Sequence, residues 1–183
     1  MPRIPIHTVE SAPPASQPLL QGLREQVGFL PNLAASMAES PALLQAFLSL
    51  RTIAASGQLD AVAREVVAIA VATETRCTYC VAAHSTFALK QGAAAAEVAA
   101  VRSGRPLADP RLDALARFAR AVVRRQDDAG DRARDLLGLG FTNALLLDVL
   151  AAIAVPMVAG MAHQLAGPPL DAVFQAQEWK QTA

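Results

Sequence analysis

The chain has 183 residues, 53% of them hydrophobic and 17% charged, with 16 basic against 16 acidic side chains. That balance excludes a disordered chain, and it excludes a protein that gathers nucleic acid or anionic lipid by long-range charge. It fits one domain with a full apolar core, and the shortage of surface charge predicts a homo-oligomer whose subunits cover part of each other's apolar area.

Residues 1–18 are rich in Pro, Ser and Ala without periodicity, so they read as an extended N-terminal arm with His7 in solvent; residues 19–183 read as one domain. Met1-Pro2-Arg3-Ile4-Pro5 has no apolar h-region, so no secretory signal is expected and the compartment is read as cytoplasmic. Ala and Leu dominate the rest of the chain, and no segment shows a period-2 alternation of β-branched and aromatic residues, which predicts an all-α fold.

Breakers and caps divide the helices. Pro31 and Pro41 stand at first helical turns, the second preceded by Ser40 as cap. A helix over residues 41–55 stops at Ser56-Gly57, and Asp60 caps the next one through Thr73. The polar Glu74-Thr75-Arg76 is a break, and a helix from near Cys77 runs to Gln91-Gly92. Helices are expected over 94–102, 111–125, 132–139 and 143–165, the last kinked at Pro156, with a C-terminal helix over 171–180 after Gly167-Pro168-Pro169. The apolar stretch from Val149 to Ala162 counts about 14 residues, against the roughly 20 that cross a bilayer, so it reads as a core helix rather than a membrane span. Glu65-Val-Val-Ala-Ile-Ala-Val echoes Asp148-Val-Leu-Ala-Ala-Ile-Ala-Val, and the alignment sets Gly160 against Cys77 and His163 against Cys80.

Arg76-Cys77-Thr78-Tyr79-Cys80-Val81-Ala82-Ala83-His84 is the most informative segment. The two thiols are three apart and share a helix face, so a disulfide can close with little rearrangement. A helix start favours thiolate at Cys77. His84 lies four residues after Cys80, one turn and a rise of roughly 6 Å, so it can act as base for Cys80 but not directly for Cys77. The base carries more weight than the helix terminus, which makes Cys80 the nucleophile and Cys77 the resolving thiol. A histidine in that role needs an acceptor on its far nitrogen. Glu74 sits in the polar break and faces water in this reading. Glu65, among Val62, Val66, Val67 and Ile69, reaches His84 if its helix packs antiparallel on the cysteine helix, and a carboxylate so placed needs such a partner.

The spacing of Glu65, Cys77, Cys80 and His84 resembles the AhpD-like alkylhydroperoxidase, carboxymuconolactone decarboxylase superfamily. Arg64-Glu65 and Phe29-Leu30-Pro31-Asn32 resemble its branch of uncharacterised peroxidase-related proteins, and the similarity runs over about residues 25–175. The resemblance implies an all-helical bundle assembled as a trimer or hexamer. It implies a thiol-dependent peroxidase without a bound cofactor, acting on an organic hydroperoxide and reset by an external dithiol reductant protein. Cys80 then matches the peroxidatic cysteine, Cys77 its disulfide partner, and His84 with Glu65 the proton relay. Tyr79 departs from the pattern, standing where the better-known peroxidase has a histidine, and is read as pocket wall.

Other readings stay open beside this one. The cysteines can be buried structural hydrophobes, or zinc ligands with His84, although no second C-x-x-C completes a tetrahedral set. Glu65 can instead form a surface or interface ion pair with Arg64 or another Arg. The scaffold can host a cofactor-free lyase or isomerase with His84 as base, or a non-enzymatic thiol switch. His163, near Met157, Met161 and Leu165, reads as a core or interface histidine. Trp179 reads as packing on a neighbouring helix or subunit, and the Arg117, Arg120, Arg124, Arg125 run as a solvated or intersubunit face.

Overall fold

The computed structural model describes residues 4–180. Among these the chain folds as nine α-helices and one 3₁₀ helix, with no strand. They are α1 (Gln17–Val27), α2 (Asn32–Met37), α3 (Pro41–Ser56), α4 (Ala61–Glu74), α5 (Thr78–Lys90), α6 (Ala95–Arg102), α7 (Pro110–Arg124), α8 (Ala129–Gly138) and α9 (Asn143–Ala166), then a 3₁₀ helix at Ala172–Gln177.

The helix starts are set by side chains that accept the first free N–H groups. Ser40 takes the Leu43 N–H at 3.3 Å, Asp60 the Ala63 N–H at 2.8 Å, and Thr142 the Leu145 N–H at 3.1 Å. Asp109 takes the N–H groups of Arg111 and Leu112 at 2.7 and 3.2 Å, and Pro41 and Pro110 open their helices where a missing N–H costs nothing.

Helix α4 is the axis of the molecule. Every residue from Val66 to Ala72 is buried, which fits its unbroken apolar run. One core cluster joins it to α6, α7 and α9 through Val66, Val71, Val101, Leu115 and Val149. A second joins α1, α2, α3 and α5 through Leu20, Leu33, Leu44, Val81 and Phe174. Val66, Val67, Ile69 and Val71 are each 0% exposed, and each such side chain contributes roughly 1.5–3 kcal/mol as an upper bound. Three residues, Thr75, Arg76 and Cys77, turn the chain from α4 into α5. The two helices pack antiparallel, as the reach of Glu65 to His84 across that turn requires.

Four expectations need correction. The N-terminal arm is ordered by docking but is turned rather than extended: it turns at residues 9–11 and again at 14–16, and the His7 N–H donates to the Ala35 carbonyl of α2 at 3.3 Å. Ser16 is buried with its hydroxyl donating to the Ala38 carbonyl at 2.7 Å, and the His7 ring lies 2.7 Å from Glu39 instead of in open solvent. Helix α8 starts three residues earlier than expected, at Ala129. The C-terminal segment is a short 3₁₀ turn without a side-chain cap, anchored by buried Phe174. Helix α9 runs 24 residues, within one residue of the expected 143–165 and unbroken through Pro156, and by length and composition alone it is sufficient to cross a membrane. Val149, Ala152, Ile153, Pro156, Ala159 and Gly160 bury one side of it, while Leu147, Leu150, Met161 and Leu165 remain exposed.

The echo between α4 and α9 has a geometric counterpart and a chemical difference. A Cβ on Gly160 would stand 3.7 Å from the Cys77 Cβ, so the small residue lets α9 lie against the cysteine turn. Asp148 does not repeat Glu65; it accepts the Gln58 N–H at 2.9 Å behind α3.

Asp60→Ala should lower stability by about 1 kcal/mol, because it strips the cap from α4. Urea unfolding should show a lower midpoint at unchanged slope.

Candidate active site

The cysteine turn begins with Arg76, whose φ of 56° puts a non-glycine residue in the left-handed region. The Cys77 N–H then donates to the Ala72 carbonyl at 3.0 Å, and Cys77 becomes the cap of α5. Its sulfur accepts the Cys80 N–H at 3.2 Å. The pair is joined as a disulfide with Cα atoms 5.2 Å apart, and both residues are buried.

The two cysteines differ in what they face. Cys80, His84 and Phe87 lie along one side of α5 and line a cavity of about 220 Å³; Cys77 does not border it. Across the cavity α4 presents Arg64, Glu65 and Ala68, and α3 presents Phe47 and Arg51. Glu65 Oε2 lies 2.7 Å from His84 Nδ1, with both side chains about four-fifths buried at 21% and 18% exposure. A carboxylate can only accept, so Nδ1 carries the hydrogen and the lone pair of Nε2 stays free. Arg64 is occupied elsewhere, donating to the Leu59 carbonyl, so the Glu65–Arg64 pairing does not form.

Glu74 is not a relay acid, and it does not face water either. Its carboxylate is 13% exposed and sits 3.2 Å from Arg120 Nε, with Arg124 on its other oxygen. This corrects the arginine run as well. Arg120 and Arg124 hold the end of α4 to α7, Arg120 also donates to the Val101 carbonyl at 2.6 Å, and Arg117 pairs with Asp113 one turn away.

Tyr79 lines the cavity wall, and its hydroxyl donates to Asp171 and accepts the Leu33 N–H at 3.4 Å. Asp171 also accepts the Asn32 N–H, at 3.2 Å to each oxygen. Phe174 closes the wall, its ring centroid 5.6, 5.8 and 5.5 Å from those of Phe29, Tyr79 and Phe87. Burial first, and the Asp171 carboxylate second, hold the Tyr79 phenol well above its ordinary value of 10.0. It is a fixed donor rather than an acid. His163 stands 5.7 Å from the Tyr79 ring, outside the main cavity, and burial lowers its affinity for a proton. It borders a separate hollow with Thr78 and Trp179, and Trp179 packs against the second core cluster.

Sequence reasoning missed Asp171, Phe174 and Arg51. Asp171 gives a weak signal only, an acid just after a Pro-Pro stop. Arg51 gives a better one, as a lone charge in the otherwise apolar or neutral α3.

A helical bundle that holds a C-x-x-C at a helix start, opposite an imidazole and a carboxylate, defines a thiol–disulfide site on an all-α scaffold. The sequence pattern of the Carboxymuconolactone decarboxylase family matches residues 41–125. The fold agrees with an uncharacterised peroxidase-related protein from Ralstonia eutropha JMP134 with an alkylhydroperoxidase AhpD core. The TM-score there is 0.83 at 21% identity, over 94% of this chain and 93% of that one. A second peroxidase-related protein, from Silicibacter sp. TM1040, gives 0.79 at 20% identity over 95% and 93%. The debrominase Bmp8 in complex with 2,3,4-tribromopyrrole gives 0.80 at 19% identity over 97% and 95%. An uncharacterised protein from Haemophilus influenzae is 52% identical over 46 residues, a stretch that spans 41% of that protein and 25% of this one. Residues 41–125 thus carry the pattern of the Carboxymuconolactone decarboxylase family, and the chain has the AhpD-like fold.

Tyr79 is the single tyrosine, so ultraviolet titration reads it alone. Phenolate absorbance should stay absent above pH 10.0 until the protein unfolds. The raised value favours the neutral phenol in the fold, so its stabilising effect is complete below the ordinary value and is lost as pH rises beyond it. Tyr79→Phe should remove that alkaline loss while costing about 1–3 kcal/mol at neutral pH, because Asp171 loses a buried donor.

Proposed function

We propose that the protein is a thiol-dependent peroxidase that reduces organic hydroperoxides through Cys80 and Cys77. The observation that supports it best is that Cys80 and His84 border one cavity while Glu65 orients the imidazole from behind at 2.7 Å. In the reduced protein Nε2 of His84 takes the Cys80 proton, directly or through one water. The thiolate attacks one peroxide oxygen and the O–O bond breaks. That oxygen and its hydrogen stay on sulfur as the sulfenic acid, and the alkoxide collects the proton from His84 and departs as the alcohol. The Cys77 thiol then displaces the sulfenic hydroxyl as water, and the disulfide forms. An external dithiol protein returns two electrons and two protons by exchange, without a bound cofactor.

A reducing compartment such as the cytoplasm supplies that reductant. The exposed face of α9, with Leu147, Leu150, Met161 and Leu165, gives the homo-oligomer of this reading its contact surface. Reductive dehalogenation is a second chemistry the fold supports in the debrominase. For this chain it draws on that likeness and on no residue beyond those the peroxidase uses, so the peroxide reading stands first.

One equivalent of organic hydroperoxide added to the reduced protein should produce a Cys77–Cys80 bond, read as loss of two hydrogens by mass spectrometry. Cys80→Ser should abolish turnover, and His84→Ala should slow it by about 10²–10⁴-fold. Thiols that stay free after peroxide, or full activity in Cys80→Ser, overturn the reading.

A further inference from the structure

The main cavity holds a charge that the mechanism does not use. Arg51, on α3, is half-buried and lines the same wall as Phe47, one turn before it, with its guanidinium carbon 5.8 Å from that ring. Among the described residues it forms no ion pair and no hydrogen bond. Glu65 lies close enough to act on it through space, but the Glu65 oxygen is committed to His84. Arg64, the other cation of the cavity, is committed to the Leu59 carbonyl. The charged lining is therefore two guanidinium groups against one carboxylate, with a single guanidinium left free.

A guanidinium stays charged in a protein, and a charge in a largely apolar cavity needs a counter-charge. Burial loosens the hold of Arg51 on its proton, and the nearby Glu65 carboxylate works against that. The fork of N–H donors matches a carboxylate with two parallel hydrogen bonds. The remaining wall, with Phe47, Phe87, Phe174 and Val155, suits an apolar body. At about 220 Å³ the cavity lies below the roughly 300–1,000 Å³ of pockets for drug-sized ligands.

We propose that Arg51 is the specificity determinant of this cavity and that the natural substrate is a small hydroperoxy acid, its carboxylate on Arg51 and its peroxide toward Cys80. The substrate class rests on the peroxidase reading; the carboxylate site does not.

Binding of benzoate and of its neutral isostere benzamide separates the two. Titration calorimetry on the intact oxidised protein should give benzoate at least about tenfold tighter, a difference of about 1.4 kcal/mol. Arg51→Met should bring the two ligands within about threefold of each other, and Arg51→Lys should keep part of the preference, with circular dichroism checking that both variants fold. Equal affinities in the natural protein, binding of neither ligand, or a preference that survives in Arg51→Met each overturns the assignment of Arg51. In turnover, a ring-carboxylated cumene hydroperoxide should show a KM about tenfold below that of cumene hydroperoxide itself, and Arg51→Met should erase the gap through KM, in contrast to the loss of kcat in Cys80→Ser. A benzoate preference with no turnover of either peroxide leaves the carboxylate site standing and refutes the hydroperoxy acid; turnover of both at equal KM refutes it too.

Discussion

The contact between Glu65 and His84 is the constraint around which the rest of the molecule is arranged. A carboxylate on α4, whose run from Val66 to Ala72 is wholly buried, is tolerated because an imidazole meets it at hydrogen-bond distance. That meeting requires α5 to return antiparallel along α4 with fixed register, and three residues have to make the turn. Arg76 takes a left-handed conformation to do so, and Cys77 caps the returning helix. The cysteines are thus placed by the same turn that brings the acid to the base. Thiol geometry and relay geometry are one feature of the backbone, not two independent ones.

Packing supports this register from both sides. Helices α7 and α9 bury the far side of α4, and the Glu74 ion pairs with Arg120 and Arg124 fasten its C-terminal end. On the near side, the Tyr79–Asp171 hydrogen bond and the Phe174 ring hold the C-terminal segment against α5. Tyr79 is thereby a tie between the cysteine helix and the chain end.

Much of this was legible from residue order. The Cys80 and His84 spacing put two side chains on one side of α5, and the apolar run around Glu65 announced that this acid would need a partner. Local signals of that kind survive folding because the helix itself enforces them. The α3, α4 and α5 starts were visible in Ser40, Asp60 and the polar break for the same reason. What escaped was long-range. Asp171 lies 92 residues from Tyr79, and no pattern in either segment specifies their bond. Glu74 looked solvated because its partners stand far along the chain on α7, Arg124 being 50 residues away. The N-terminal arm looked free because docking by Ser16 and His7 depends on α2, not on local propensity.

The sulfur of Cys77 has a consequence beyond its place in the pair. It caps α5, accepting the Cys80 N–H at 3.2 Å, at the end of the helix where the dipole favours negative charge. In the proposed cycle, a thiolate that opened the disulfide at Cys80, the sulfur that borders the cavity, would leave the departing charge on Cys77, where the helix start favours it. A good leaving group on the hidden side directs attack to the open side. In the proposed cycle oxidant and reductant would then share one cavity, one after the other, in a ping-pong order imposed by where a single helix begins.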